Sequence, residues 1–310
     1  TGGDETALRQ YGEDGWTAVD DVCVRMNAAG IGIGFTAGDG VAVSGCRETA
    51  LNGSFPLRSV EDDYVVVTAL PRSLSSQSDP VTVERSVPDM DYVVESGNRL
   101  WGCKYGIVNG QAVNAIYASK LGDFKNWNCY AGLSTDSYAA SRGSDGAFTG
   151  AADYLGNPLF FKENCMERVY PSASGAHQIV TVQCAGVKSG SSGSLRGGDG
   201  KLYYHSQGGV CVFDGSMPVH VSQALGEMRY HNAVAGALDG SYYLSAADEN
   251  GAWHLLVLDT RQGLWYREDD VEAVGFAPWG GDLYCLTAAG QLLAMKGSGE
   301  NREGPGQWLG

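Results

Sequence analysis

Five histidines, at positions 177, 205, 220, 231 and 254, are the first places to look for chemistry in this 310-residue chain. Imidazole is the side chain that moves protons and binds metals near neutral pH. None of the five stands in an HxH or HExxH pattern, and no GxSxG elbow supplies a nucleophile for one to activate. Each is therefore read as a turn or blade-edge residue. The stretch GIGIGFTAG places glycines at 30, 32, 34 and 38, superficially like a dinucleotide-binding loop. It lacks the preceding apolar parallel strand, the following helix and the acidic ribose ligand that such a loop needs. It reads as a Gly-rich strand.

Glycoside hydrolysis needs two carboxylates facing each other across a pocket. Asp123, Asp153 and Asp214 are the candidates, and spacing alone pairs none of them. An Asp box, Ser-x-Asp-x-Gly followed by Trp, is half present in STDSY (134–138): Ser134 and Asp136 are there, the Gly and the aromatic are not. The acidic clusters at 20–21, 61–63, 89–91 and 268–270 read as strand exits, and none has the ligand spacing of an EF-hand loop. Eight cysteines lie at least 19 residues apart, which excludes a CxxC clip. Most sit in apolar text such as GVCVF and LYCLT, as buried free thiols would, and this usage fits a reducing compartment. No catalytic, cofactor-binding or metal-ligating residue is assigned, and the chain is expected not to be an enzyme. Trp101, Trp127, Trp253, Trp265 and Trp279 could form a sugar platform, but packing between sheets is the expected use of each.

The elements that would carry these residues are β-strands. The chain has 45 Gly, 16 Tyr and 9 Pro and no long helical period, which suits short strands joined by tight turns. A formal charge of −15 argues against binding to bulk phosphate. No apolar run reaches 18 residues, so nothing is expected to span a membrane as a helix. A hairpin recurs: an apolar pair, a polar turn and a second apolar strand. Its anchor pairs are Leu100-Trp101, Leu159-Phe160, Leu202-Tyr203, Tyr242-Tyr243 and Leu283-Tyr284. A period of about 40–50 residues with about four short strands per unit is the signature of a β-propeller. The fold class is all-β: a propeller with five visible blade-like units, six or more being expected in a parent chain, since Thr1 is not an initiator Met and GPGQWLG ends like the start of a strand. Trp265-Tyr266 would pack between blades.

Residues 27–70 break this rhythm. Alternation in GVAVSG and YVVVTA reads as a small inserted β-barrel, with strands near 31–35, 41–45, 55–60 and 64–69. The expected division is 1–26 outer propeller strands, available to close a sixth blade; 27–70 barrel; 71–87 linker; 88–310 blades.

NRLWGC, NAIYASKLGDFKNW and HLLVLDTRQGLWYRED, in that order, resemble the propeller proteins of tailed-phage and prophage structural modules of Gram-positive bacteria. FTAGDGVAVSGCRETALNGSFPLRSVEDDYVVV resembles the small barrel ahead of such propellers. The resemblance touches most of the chain from about 17 to 297. It implies a virion structural protein similar to nozzle or tail-tube components, assembled in the host cytoplasm, with other virion proteins as partners and homo-oligomers in the particle. The competing reading is a carbohydrate-binding or glycan-cleaving propeller at a tail tip. The stretch 132–150 is polar and longer than a hairpin needs, and long loops on rigid scaffolds are where partners are met. Tyr138, Arg142 and Phe148 are its expected partner contacts.

Overall fold

The computed structural model describes residues 9–11, 16–20, 23–68, 81–108, 110–130, 132–226 and 229–295. The fold is all-β, and its C-terminal part is five consecutive antiparallel meanders, the blades of a β-propeller. Blade 1 is formed by β8 (Tyr92–Ser96), β9 (Arg99–Val108), β10 (Gln111–Ala118) and β11 (Tyr138–Ser141). Blade 2 is β12 (Gly150–Tyr154), β13 (Asn157–Phe161), β14 (Cys165–Tyr170) and β15 (Gln178–Gln183). Blade 3 is β16 (Arg196–Gly198), β17 (Lys201–Ser206), β18 (Gly209–Phe213) and β19 (Val219–His220). Blade 4 is β20 (His231–Leu238), β21 (Ser241–Ala247), β22 (Trp253–Asp259) and β23 (Leu264–Asp269). Blade 5 shows three strands, β24 (Ala273–Trp279), β25 (Asp282–Thr287) and β26 (Leu292–Ala294).

The first strands of neighbouring blades pack on one another, β8 on β12, β16 on β20 and β20 on β24, so the first strand is innermost in each blade. The first hairpin of every blade closes with two residues, and both have positive φ: Gly97-Asn98, Leu155-Gly156, Asp199-Gly200, Asp239-Gly240 and Gly280-Gly281. Positive φ at both positions is the mark of a type I′ turn, whose twist matches that of the flanking strands. Four of the five pairs use Gly, Asn or Asp, the residues that reach this region at least cost.

The anchor pairs all fall in the second strand of their blade, and the core explains why. Adjacent residues on a strand point to opposite faces, so an apolar pair serves two interfaces at once. Leu159 faces blade 3 and Phe160 faces blade 1; Leu202 faces blade 2 and Tyr203 faces blade 4; Tyr242 faces blade 3 and Tyr243 faces blade 5. Each interface is one buried cluster drawn from two blades, built around Trp101 and Phe160, then Phe161 and Tyr204, then Tyr203 and Tyr242, then Tyr243 and Leu283. Burying one such side chain contributes about 1.5–3 kcal/mol, so blade stacking is the main source of order here.

The N-terminal module differs from expectation in its boundaries. β1 (Arg9–Tyr11), β2 (Trp16–Asp20) and β3 (Cys23–Asn27) join β4 (Gly40–Ser44), β5 (Gly53–Glu61), β6 (Tyr64–Thr68) and β7 (Val81–Arg85) in one antiparallel sheet, order β1-β7-β4-β5-β6-β3-β2. Strands assigned to the propeller (1–26) and to the linker (71–87) thus belong to the barrel-like module, which precedes the blades instead of interrupting them. Residues 69–80 lie outside the described part. The sheet turns a corner at β5: its first half pairs with β4, its second with β6, and a bulge at Leu57–Ser59 separates the two. Val24, Val41, Val65 and Val83, from strands at both ends, share one core, which requires a rolled sheet.

The strand expected at 31–35 is a run of turns. Ile31, Ile33 and Phe35 donate backbone bonds to Ala28, Gly30 and Gly32, with Gly30 and Gly34 at positive φ. Gly32 is packed so tightly that a Cβ there would stand 1.9 Å from the Glu61 carbonyl oxygen. Alternating glycine, isoleucine and glycine reads as strand by period, but glycine's conformational freedom decides for the turn.

Candidate functional site

The three residues expected at a partner surface are used inside the fold. Tyr138 opens β11 and stands edge-on to His177 at 5.1 Å, with Trp101 at 6.1 Å. Phe148 is 4% exposed and belongs to the blade 1–blade 2 core, edge-on to Phe160. Arg142 donates from Nε (3.0 Å) and Nη2 (2.8 Å) to Glu167, which is 0% exposed and also accepts from Thr181 Oγ1 at 3.1 Å. Phe148 and Arg142 therefore lock blade 1 to blade 2. The loop 132–150 looked spare because its partners, Phe160 and Glu167, are distant in sequence.

The histidines also fall differently. His205 is buried in β17 and its Nδ1 lies 3.1 Å from Ser191 Oγ, which accepts from Ala233 N. Burial pushes its pKa down to about 4, so it is a neutral tie between blades 3 and 4 rather than an edge residue. His254 Nε2 donates to Asp248 at 3.1 Å, and the other carboxylate oxygen of Asp248 accepts from the turn N–H groups of Asn250 and Ala252. His220 lies 3.4 Å from Cys211, but burial pushes the thiol pKa up, away from a reactive thiolate. Cys184 and Cys285 are pushed up to about 11 by the same cause. Six of the eight cysteines are buried.

The candidate acids are turn builders. Asp123, Asp153 and Asp214 accept from backbone N–H groups of Lys125, Gly156 and Ser216. The carboxylate of Asp136, in the incomplete Asp box, is taken up by the N–H groups of Gly132 and Leu133 at 2.7 and 2.9 Å. Among the described residues no three His, Cys, Asp or Glu side chains gather as metal ligands.

Two concavities among the described residues bear on the blades. A groove of ≈ 730 Å³ lies on blade 1, lined among others by Tyr105, Asn114, Tyr117 and Arg142, with no carboxylate in its wall. A cavity of ≈ 240 Å³ lies between the first hairpins of blades 3 and 4, over Tyr203 and Tyr242 with Asp199 and Asp239 at the rim. That is below the ~300–1,000 Å³ of small-molecule sites.

What stands out is one end of the blades. In an antiparallel meander the turns between strands one and two and between three and four share an end. Here these ends align: Tyr154 Oη donates to the Gly200 carbonyl in the next blade, and Thr260 of blade 4 donates to Asp199 of blade 3. We call this the hairpin end. Its largest feature is the connection 119–137 of blade 1, held from beneath by buried Arg99, which donates to the carbonyls of Ser119, Ser134 and Asp136 at 2.6–2.8 Å. Trp127 closes the loop from within, its Nε1 donating to Phe124 O. Asn126 and Asn128 reach the barrel, where a Cβ on Gly38 or Gly40 would stand 3.0 or 2.0 Å from their amide nitrogens. This rigid connection holds Phe124, Tyr130 and Leu133 in solvent, each more than 60% exposed. Sequence reasoning read KLGDFKNW as a family motif and missed these residues. Their signal was three large apolar side chains in a segment with no strand alternation. Of the five tryptophans, Trp101 and Trp265 pack between blades as expected, while Trp279 is exposed and Tyr266 is half out.

No family model matches the chain, and no curated protein matches it. Among solved structures it is similar to the phage phi92 endosialidase, at 10% identity and TM-score 0.30, covering 90% of this chain and 46% of that one. It is also similar to BamB from Moraxella catarrhalis, at 11% identity and TM-score 0.35, covering 96% of this chain and 98% of that one. The chain thus spans less than half the length of the phage enzyme, and the propeller assignment rests on the strand order itself.

Proposed function

We propose that this protein is a non-enzymatic structural component of a tailed-phage particle, which scaffolds its neighbours through protein–protein contacts. The observation that carries the reading is the hairpin end: an ordered, multiply hydrogen-bonded platform that keeps large apolar side chains in water. Such side chains gain about 25 cal/mol per Å² when a partner covers them, and a rigid platform adds little ordering cost. The family resemblance of the sequence supplies the particle, and its origin in Gram-positive prophage belongs to the same proposal. The test is cryo-electron microscopy of the parent particle: density for the barrel and the five blades supports the reading, and a particle without them removes it.

A second reading is favoured by one observation, the paired carboxylates Asp199 and Asp239 beside Tyr203 and Tyr242 at the hairpin end. Carboxylates at the mouth of a cavity can accept hydrogen bonds from sugar hydroxyls, while Tyr203 and Tyr242 beneath them are buried in the blade 3–blade 4 core and offer no stacking face. Binding on a glycan array that is lost in Asp199→Asn with Asp239→Asn, or hydrolysis of host-wall polysaccharide, would favour this reading over the first.

A further inference from the structure

Each of the five blades places at least one large apolar side chain in solvent at the hairpin end, among them Leu133 (64% exposed), Leu155 (76%), Met217 (53%), Leu264 (59%) and Trp279 (75%). The opposite ends of blades 2, 3 and 4 expose no large apolar side chain among the described residues. The opposite ends of blades 1 and 5 do expose such side chains, among them Ile107, Val274 and Leu292, so the contrast between the two ends belongs to blades 2, 3 and 4. Leu155 is the telling one. It occupies the first position of a type I′ turn at φ +50°, where the other blades carry Gly or Asp. A leucine in the left-handed region costs about 1–2 kcal/mol, and at 76% exposure no packing offsets it. A residue unfavourable on both counts in the free chain is explained by a contact made elsewhere. The same end is acidic. Across blades 2–5 it carries Asp153, Asp199, Asp214, Asp239, Asp259 and Asp282 against Lys201, Arg261 and Arg168, the last donating to the Gly215 carbonyl.

We infer that the hairpin end of blades 2–5 is a docking face for a basic protein surface with apolar sockets. Charge decides the occupant: a second copy would bring this acidic face against itself, whereas a Lys/Arg-rich partner is attracted and its approach accelerated. The inference rests on the particle role proposed above and names the face and the chemistry of the neighbour.

Parent particles are treated with a zero-length carboxylate–amine cross-linker and digested for mass spectrometry. The expected result is cross-links from Asp199, Asp214 or Asp239 to lysines of a different virion protein. In particles rebuilt with Leu155→Gly and Leu264→Ser, occupancy of the chain is expected to fall at least ten-fold, while the isolated variant melts no lower than the parent chain. Cross-links confined to Glu249 and Glu272 at the opposite end would overturn the inference. So would cross-links between the hairpin ends of two copies, or normal occupancy of the variant. Absence of the chain from the particle would remove the particle role itself, a failure distinct from a particle that holds the chain with this end free.

Discussion

Replacing Arg142 by Ala separates its internal role from a role at a partner surface. The guanidinium gives Glu167 two donors, at 2.8 and 3.0 Å, and the Thr181 hydroxyl gives it one more at 3.1 Å. Glu167 has no exposed surface, and the Arg142 side chain is 18% exposed. The two halves of the pair are therefore unequal. Removing Arg142 strands a carboxylate inside the blade 1–blade 2 interface with the Thr181 hydroxyl as its one side-chain donor and the Lys162 ammonium as its nearby charge, and breaking a buried pair from one side costs about 3–5 kcal/mol. Removing Glu167 leaves a guanidinium that can turn toward water, so Glu167→Ala is expected to cost less, about 2–3 kcal/mol, for the lost charge-assisted bonds and the cavity. The double variant should then be less damaged than the sum, with a coupling of about 1–3 kcal/mol. Calorimetry of the isolated chain reads this as a fall in Tm of about 2–4 °C per kcal/mol in the blade transition. A change below 1 kcal/mol for Arg142→Ala, the value of an exposed ion pair, would refute the buried lock and return Arg142 to the surface.

Phe148→Ala should cost about 3–5 kcal/mol in the same assay, because the ring is enclosed by Trp101, Ile116 and Phe160; a neutral result would place it outside the core. Leu155→Gly should raise stability by about 1 kcal/mol through relief of the left-handed leucine, read as a higher denaturant midpoint at constant m. Gly186→Ala should lose stability by about 1–3 kcal/mol or more, since the new Cβ would stand 1.7 Å from the Lys162 carbonyl oxygen. His205 has a folded pKa of about 4 against about 6.5 unfolded, so the unfolded chain binds the extra proton between these values. Its contribution is complete above pH 6.5 and is lost as pH falls toward 4, on the order of 3 kcal/mol, and His205→Gln should flatten that slope in a pH series of urea titrations.

The blades were legible in the sequence because their cause is local and periodic. A strand sandwiched between two neighbours must be apolar on both faces, so each blade writes a consecutive apolar pair into its second strand, and Phe160 and Tyr203 announced themselves in this way. The doubled positive-φ turns add a second local mark, visible as GN, DG, DG and GG beside four of the five anchors. The limits of the N-terminal module were not legible, because β7 and β3 are assigned by their hydrogen-bond partners β4 and β6, far along the chain, and not by their own composition. The fates of Arg142, Phe148 and Leu155 were decided the same way. A cation in a Gly/Ser-rich loop, a phenylalanine beside it and a leucine before a glycine look alike as text. Only the meeting of blades 1 and 2 buries the first two, over Glu167 and Phe160, and only the turn geometry of blade 2 holds the third out in solvent. Local sequence sets which faces of a strand can be buried; which neighbour arrives to bury them is a long-range event, and the proposed function rests on the apolar groups that no neighbour within the described chain covers.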